Sequence, residues 1–280
     1  MTYRSLLVLI NQNPLCGART QAAIRLAKEL DCHLVGLAPS GLIDVPVFAE
    51  ATTAYTEFAT LAWDTLRDQA HLAAHRFRND CEAAQLKSFE AVIDESDEAL
   101  SLVRHAHCSD LTVLTQADPG SPGHTAAQAL VEQVVLYSAR PTLILPYAGR
   151  FDTIGSKVMV AWDDSREAAR ALSDALPLLR RAASVNVVGW NERGTGSGAT
   201  LRLRLDALHK WLMWQGVSAE MNVETTGIDI AEAMLSRAAD LSADLVVMGA
   251  YGHARWAERV LGGATRGLLE SMTVPVLMSH

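Results

Sequence analysis

Residues 245–267 read LVVMGAYGHARWAERVLGGATRG. This stretch starts as a short apolar run, continues through a glycine-containing loop and ends in a helical pattern. Gly249 and Gly252 lie three residues apart, and nine residues then separate Gly252 from Gly262 and Gly263. The order predicts a strand, a loop and a helix, with glycines at both ends of the loop.

The glycines of this loop suit contact with a phosphate group. Glycine at a strand exit lets the backbone approach a ligand without a Cβ in the way. Gly262 and Gly263 open the predicted helix Thr265–Ser271, whose first N–H groups lack helical partners and favour an anion. The hydroxyl of Thr265 can add a hydrogen bond to a phosphate oxygen. Glycines are also common in ordinary turns, so the interpretation as a phosphate-binding loop depends on their position between a strand and a helix.

The chain repeats itself over two halves. Ala243–Gly249 (ADLVVMG) resembles Ser109–Thr115 (SDLTVLT), and each is followed by a loop, a helix and a strand opened by proline. Lys157–Trp162 (KVMVAW) likewise resembles Ser5–Ile10 (SLLVLI) in being an apolar run before a helical pattern. Two tandem copies of one unit are therefore predicted.

The order of elements in a copy predicts the fold class. Apolar strands alternate with helices, which favours a doubly wound, five-stranded parallel sheet in each copy. Turn-forming residues over Ala148–Ser156 place the boundary, giving domains 1–150 and 151–280. The predicted helices are Thr20–Leu30, Ser165–Arg181, Ala199–Gln215, Asp229–Ala239 and Thr265–Ser271; the predicted strands of the second copy include Lys157–Trp162, Val185–Trp190, Ala219–Thr225 and Val274–Ser279.

Composition excludes several classes of protein. The 280 residues carry 24 Lys and Arg against 32 Asp and Glu, a net charge of −8, which argues against binding to a nucleic-acid backbone. No apolar run reaches the length of a membrane span, and the N-terminal run is too short for a secretory signal. The four cysteines form no close pair, which is typical of free thiols. We therefore expect a soluble, cytoplasmic protein.

A carboxylate follows the first strand of the second copy. Trp162 is followed by Asp163, Asp164 and Ser165. Asp163 would lie at the carboxyl end of the strand, where doubly wound sheets bind ligands, and could accept a hydrogen bond from a ribose hydroxyl or an adenine amino group. Helix capping is the alternative role, and we assign it to Asp164 or Ser165.

These motifs resemble the universal stress protein family in its tandem form. That family carries an aspartate after the first strand and a G-x2-G-x9-G-(S/T) loop after the fourth, matched here by Asp163, Gly249, Gly252 and Gly262. The resemblance covers the whole chain, more strongly in the second copy. Gly263 departs from it, because the family has Ser or Thr there, so one hydroxyl is lost.

The resemblance implies a ligand and a set of contacts. The ligand is ATP or another adenine nucleotide, with Mg²⁺ as a candidate companion, and the copies pack as a pseudo-dimer with their fifth strands at or near the contact. Val188 to Trp190 would close the second-strand side. The implied binding residues are Ala161, Trp162, Asp163, Trp190, Met248, Gly249, Gly252, Gly262, Gly263, Ala264 and Thr265.

The first copy lacks the motif. Its first strand ends in Asn11-Gln12-Asn13, without a carboxylate. Aligning Pro141 with Pro275 places no glycine opposite those of the loop; the aligned residues are Thr115, Asp118, Gln128 and Ala129. We predict a degenerate, mainly structural copy.

Three functions compete. The first is a nucleotide-binding module that reports stress to a protein partner, the second a slow ATPase, and the third a ligand-free scaffold acting by protein contacts. No dedicated base remains in the motif, which argues against efficient turnover. His71 and His75 have the i, i+4 spacing of metal ligands, but solvated helix residues are the better interpretation. A homodimer is one candidate assembly.

Overall fold

A computed structural model of the chain describes residues 2–41, 53–192, 198–252 and 263–280. The chain divides into two compact units. The first unit is Tyr3–Val113, and the second comprises Leu114–His280 together with the first two residues. In the described ranges, no helix is both long enough and apolar enough to span a membrane.

The first unit contains four parallel strands in the order β3-β2-β1-β4. The last two residues of β4 belong to the second unit. The elements, in chain order, are β1 (Ser5–Leu9), α1 (Cys16–Leu30), β2 (His33–Pro39), α2 (Thr53–Ala83), β3 (Phe89–Asp94), α3 (Glu98–Ala106) and β4 (Leu111–Thr115).

In the part of the second unit that the structure describes, six strands follow the order β5-β10-β9-β6-β7-β8. All neighbours are parallel except β5 and β10. The elements are α4 (His124–Tyr137), β5 (Thr142–Leu145), β6 (Lys157–Ala161), α5 (Arg166–Leu179), β7 (Ser184–Glu192), α6 (Gly198–Trp214), β8 (Glu220–Thr226), α7 (Ile230–Asp240), β9 (Leu245–Gly249), α8 (Gly263–Ser271) and β10 (Val276–Ser279).

The predicted alternation of parallel strands and helices is confirmed. The central strands are apolar runs because both of their faces are covered, and Leu6–Leu9 and Val158–Ala161 are buried throughout. Each predicted element bound differs by a few residues at most. The largest difference is at α1, which starts at Cys16 rather than Thr20.

The two copies share a carboxylate clamp that sets the start of their first strands. The Asp110 carboxylate accepts hydrogen bonds from the backbone N–H groups of Arg4 and Ser5. Asp244, at the corresponding place before β9, accepts from the N–H groups of Ser156 and Lys157. This shared aspartate explains why the SDLTVLT and ADLVVMG segments read alike.

The fifth strands of the two copies pair with each other, as the resemblance implied. β5 and β10 run antiparallel, with Leu143 opposite Leu277. Gln116, just after β4, donates a hydrogen bond to the backbone oxygen of Leu269 in α8 (2.8 Å). This pairing places α4 and β5 in the second compact unit, so the division into units falls within β4. The domain boundary at 150/151 describes the sequence repeat and stays a prediction.

Candidate functional site

The candidate site lies at the carboxyl ends of neighbouring strands in the second unit. β6 pairs in parallel with β7 on one side and with β9 on the other. The segments that leave β6 and β9 therefore emerge side by side, at the edge of a doubly wound sheet where ligands bind. Asp163 follows β6, and the glycine loop follows β9.

Asp163 is exposed, and its position is fixed by the start of α5. Its Oδ1 accepts hydrogen bonds from the Ser165 backbone N–H (3.0 Å) and from the Ser165 hydroxyl (2.6 Å). Such a turn places the carboxylate at the end of the strand and leaves it open to solvent. It can thus accept a hydrogen bond from a ligand hydroxyl or amino group.

Ser165, rather than Asp164, is the N-cap residue of α5. Its Oγ accepts a hydrogen bond from the Ala168 backbone N–H (3.1 Å) at the N-terminus of α5. Asp164 instead has a left-handed backbone (φ 63°), and its carboxylate pairs with Arg204 of α6.

The first two glycines of the loop pack against the first turn of α5. A Cβ on Gly249 would lie 2.4 Å from the Ala168 backbone nitrogen, so only glycine permits this close approach. A Cβ on Gly252 would lie 2.9 Å from Glu167 Oε2 and 3.2 Å from Ser165 Oγ. Gly252, Ser165 and Asp163 thus form one continuous set of contacts.

Glu167 is a site residue that sequence reasoning missed. Its side chain is only 4% exposed and pairs with the guanidinium of Arg166, which is 84% exposed. Burial works to raise the pKa of the Glu167 carboxyl, but Arg166, the backbone N–H and His280 outweigh burial and lower it. A charged carboxylate therefore faces Gly252. Acids are common in the first turn of a helix, so nothing in the sequence distinguishes this one.

Thr265 joins the last helix of the unit to the glycine loop. Its Oγ1 accepts a hydrogen bond from the backbone N–H of Tyr251 (3.2 Å), and the residue is buried. Tyr251 has a left-handed backbone (φ 59°), and its ring makes an edge contact with that of His280. The hydroxyl expected to reach a phosphate thus also holds the residue before Gly252.

Gly263 is the first residue of α8, so this helix begins two residues before the predicted Thr265. The position is exposed, and a Cβ built on it would meet no described atom within 4 Å. Its φ is not in the left-handed region. Ala264, the second residue of α8, is half-buried. Among the described residues, none therefore blocks a phosphate from approaching the N-terminus of α8 at Gly263.

Part of the predicted loop falls outside the described residues. This applies to Gly262, the third glycine of the motif. It also applies to Arg255, Glu258 and Arg259, whose spacing in the sequence predicts either a lid over the phosphates or a salt-bridged surface turn.

The resemblance implies that Ala161, Trp162 and Met248 lie near an adenine and that Trp190 closes the second-strand side; all four are at or close to the carboxyl ends of the adjacent strands β9, β6 and β7. Ala161, Trp162 and Met248 are buried, and Trp190 of β7 is half-buried. The Trp162 backbone N–H donates to the Val188 carbonyl oxygen (2.9 Å), which extends the β6–β7 pairing by one residue.

Two buried donors near this edge lack partners among the described residues. They are the indole Nε1 of Trp162 and the phenol oxygen of Tyr251. Buried polar groups without partners are uncommon in folded proteins. A bound polar ligand could supply the missing acceptors, so these atoms agree with a ligand site.

At the equivalent position in the first unit, after β1, the polar side chain of Asn11 forms hydrogen bonds with other residues of the protein. Asn11 Oδ1 accepts from the Asn13 backbone N–H (3.2 Å) and from Arg19 Nη2 (3.1 Å), and Asn11 Nδ2 donates to Glu98 (3.0 Å). Arg19 is buried, and burial lowers its pKa. A cavity of about 260 Å³ opens nearby between the β1–α1 loop, α1 and α2.

The other candidate clusters have protein partners. His75 Nε2 lies 3.3 Å from Asn79 Nδ2, and His105 Nε2 pairs with Asp94 (3.1 Å). Within the described ranges, no group of three His, Cys, Asp or Glu side chains is arranged to hold a metal ion. All four cysteines are free.

The fold and the site define an α/β protein with a carboxylate and a glycine loop at adjoining strand ends. Residues 156–280 match the family model described as universal stress protein family. The match lies in the copy that carries the motif.

Individual relatives agree with the family match. Universal stress protein Slr1230 of Synechocystis is 28% identical over 163 residues, which is 55% of this chain and 51% of the relative. The chain thus spans about half the length of that relative.

Two solved structures show the fold over the whole chain. A universal stress protein from Archaeoglobus fulgidus has a TM-score of 0.74 at 16% identity, covering 99% of this chain and 96% of its own. A functionally unknown protein from Pseudomonas aeruginosa PAO1 has a TM-score of 0.58 at 14% identity, covering 99% and 92%. The tandem fold therefore extends through the first copy, beyond the family match.

Proposed function

We propose that the second copy binds an adenine nucleotide, with ATP as the leading ligand, and that the protein is a binding module of the stress response. The observation that carries the proposal is the continuous contact from Asp163 through Ser165 to Gly252. It joins the carboxylate after β6 to the glycine loop after β9, where a doubly wound sheet takes its ligand.

Three features support a nucleotide in particular. Gly263 opens α8 with no described atom within 4 Å of its Cβ position, which suits a phosphate at a helix N-terminus. The buried Trp162 and Tyr251 donors have no acceptor among the described residues. Asp163 is exposed and can accept from a ribose or an adenine. Mg²⁺ is a candidate companion, for which Asp163 and Glu167 are the carboxylates beside the loop.

A binding role is favoured over catalysis because the nearby carboxylates have protein partners. Asp163 bonds to Ser165, Asp164 pairs with Arg204, and Glu167 pairs with Arg166. A hydrolase would need one of them to orient a water molecule. We therefore expect the nucleotide state to be read by a protein partner in the cytoplasm, where four free cysteines would persist.

A ligand-free scaffold is the second candidate function, and one observation favours it. Glu167 fills the space beside Gly252, where a phosphate would otherwise approach. Mass spectrometry of the purified protein under native conditions separates the two, because a tightly held nucleotide would be retained and add its mass.

Asp163→Asn tests the proposal directly. Asparagine can keep the turn to Ser165 but removes the charged acceptor, so ATP binding should weaken at least tenfold, about 1.4 kcal/mol or more. Asp152→Asn is the matched control, because Asp152 is an exposed carboxylate before β6. Isothermal titration calorimetry measures both. Equal ATP affinity in the two variants and the parent protein would contradict the assigned site.

A further inference from the structure

We propose that Glu167 sets the phosphate charge that the site accepts, so that without a divalent cation the site favours an adenine nucleoside or monophosphate over a triphosphate. This inference rests on the proposed function, since it names the ligand class of the same site. Glu167 would act as a specificity-determining residue.

The first step is the position of the carboxylate. Glu167 Oε2 lies 2.9 Å from where a Cβ of Gly252 would stand. Gly252 is the loop residue whose missing side chain is expected to admit a phosphate. A phosphate oxygen that approached the backbone at Gly252 would therefore meet the carboxylate oxygen.

The second step is the charge of this group. Glu167 is buried, and the Arg166 guanidinium bonds to its Oε1. The pKa of Glu167 is lowered, so the carboxyl is ionised at neutral pH. Because Glu167 is shielded from solvent, its repulsion of an anion is weakened less by water than that of a surface carboxylate.

The third step is the number of charges on the ligand. Adenosine has no phosphate, AMP has one and ATP has three, so repulsion by Glu167 rises along the series. Mg²⁺ neutralises part of the ATP charge and should reduce the difference. Arg166 partly offsets Glu167, but its side chain is exposed and screened by solvent.

The test measures adenosine, AMP and ATP affinities by calorimetry in magnesium-free buffer. The parent protein should bind AMP at least as tightly as ATP. In Glu167→Gln, ATP affinity should rise about tenfold or more while adenosine affinity stays unchanged. Glu220→Gln, an exposed carboxylate at the start of β8, changes the net charge equally and should leave the ATP-to-adenosine ratio unchanged.

Arg166→Gln supplies a second variant; because it leaves the buried Glu167 carboxylate without this partner, circular dichroism should first show that the fold is retained. The substitution should weaken ATP binding about two- to fivefold and leave adenosine unaffected, since it removes the partner of Glu167. When Arg166→Gln is combined with Glu167→Gln, the weakening of ATP binding caused by Arg166→Gln should be smaller.

The outcomes separate this inference from the function beneath it. If the parent protein binds nucleotides but Glu167→Gln leaves the ATP-to-adenosine ratio unchanged, the specificity role is wrong and the binding function stands. If neither adenosine nor any nucleotide binds the parent protein or the variants, the proposed function fails, and this inference fails with it.

Discussion

Gly263 is the residue at which this chain departs from the family motif, and the structure leaves room for the missing hydroxyl. No described atom lies within 4 Å of a Cβ there, and its φ suits an ordinary L-residue. Gly263→Ser should therefore fold without strain. If the N-terminus of α8 faces a phosphate, the new hydroxyl can donate one more hydrogen bond to a charged group.

We expect Gly263→Ser to tighten ATP binding about tenfold or more, because a hydrogen bond to a charged group contributes about 1.5–3 kcal/mol. Adenosine affinity should change little. Calorimetry with both ligands measures the difference. Gly17→Ser is the control, since Gly17 lies near the start of α1, also without a described atom within 4 Å of its Cβ position. An equal gain for ATP and adenosine would mean that Gly263 does not face phosphate.

The glycines of the loop motif have different structural roles. Gly249 lets the backbone of α5 come within contact distance of β9, which is a packing role. Gly252 faces the side chains of Ser165 and Glu167, and Gly263 has no atom of the described ranges within 4 Å of its Cβ position. The spacing of the motif identified the loop, but only packing assigns a purpose to each glycine.

In the first unit, a glycine of β2, Gly36, allows close packing of helix α2 against this strand. Gly36 of β2 lies under the ring of Phe77 in α2, and a Cβ there would be 2.8 Å from two ring atoms. Phe77 is fully buried and makes an edge contact with Phe89.

Gly36→Ala should therefore destabilise the protein by about 1–3 kcal/mol, the usual cost of overpacking a core. Gly17→Ala adds the same methyl group where nothing is crowded, inside a helix, and should be neutral or stabilising by up to about 1 kcal/mol. Urea denaturation gives both free energies of unfolding. Equal stability of Gly36→Ala and the parent would show that α2 can shift freely over β2.

Sequence patterns predicted the helices and strands well where these depend on interactions between residues close in sequence. Apolar runs located the strands, and Asp229, predicted to open the third helix of the second copy, caps α7 by accepting from the Ala231 N–H. The start of α1 was placed too late, because Gly17 and Pro14 look like loop residues. In the structure the helix begins at Cys16, directly after a turn in which Asn13 Oδ1 accepts from the Leu15 N–H.

The candidate site could be predicted only in part, for a related reason. Asp163 and the glycines stand out by their spacing, and the structure brings Asp163, Gly249 and Gly252 together. The role of Glu167 depends on how α5 packs against the loop after β9, a contact between residues far apart in sequence. No local pattern encodes such a contact.

Over the whole molecule, the two copies share a fold but differ at the carboxyl end of the first strand. In the second copy an exposed carboxylate, Asp163, follows that strand. In the first copy Asn11 takes the place, and both ends of its amide are engaged by Arg19, Asn13 and Glu98. The shared clamps of Asp110 and Asp244 preserve the sheet in both copies, so the difference concerns the ligand rather than the fold.

This asymmetry predicts one nucleotide per chain. Calorimetric titration with ATP should give a stoichiometry of one, and Asp163→Asn should remove that site. Asn11→Asp should not create a second one: its new carboxylate would face Glu98, whose Oε1 lies 3.0 Å from Asn11 Nδ2, and replace an attraction by repulsion between like charges. We expect the stoichiometry of Asn11→Asp to stay at one, because the new carboxylate would still accept from Arg19 Nη2, as Asn11 Oδ1 does (3.1 Å). Two equivalent sites in the parent protein would contradict the assignment of a structural role to the first copy.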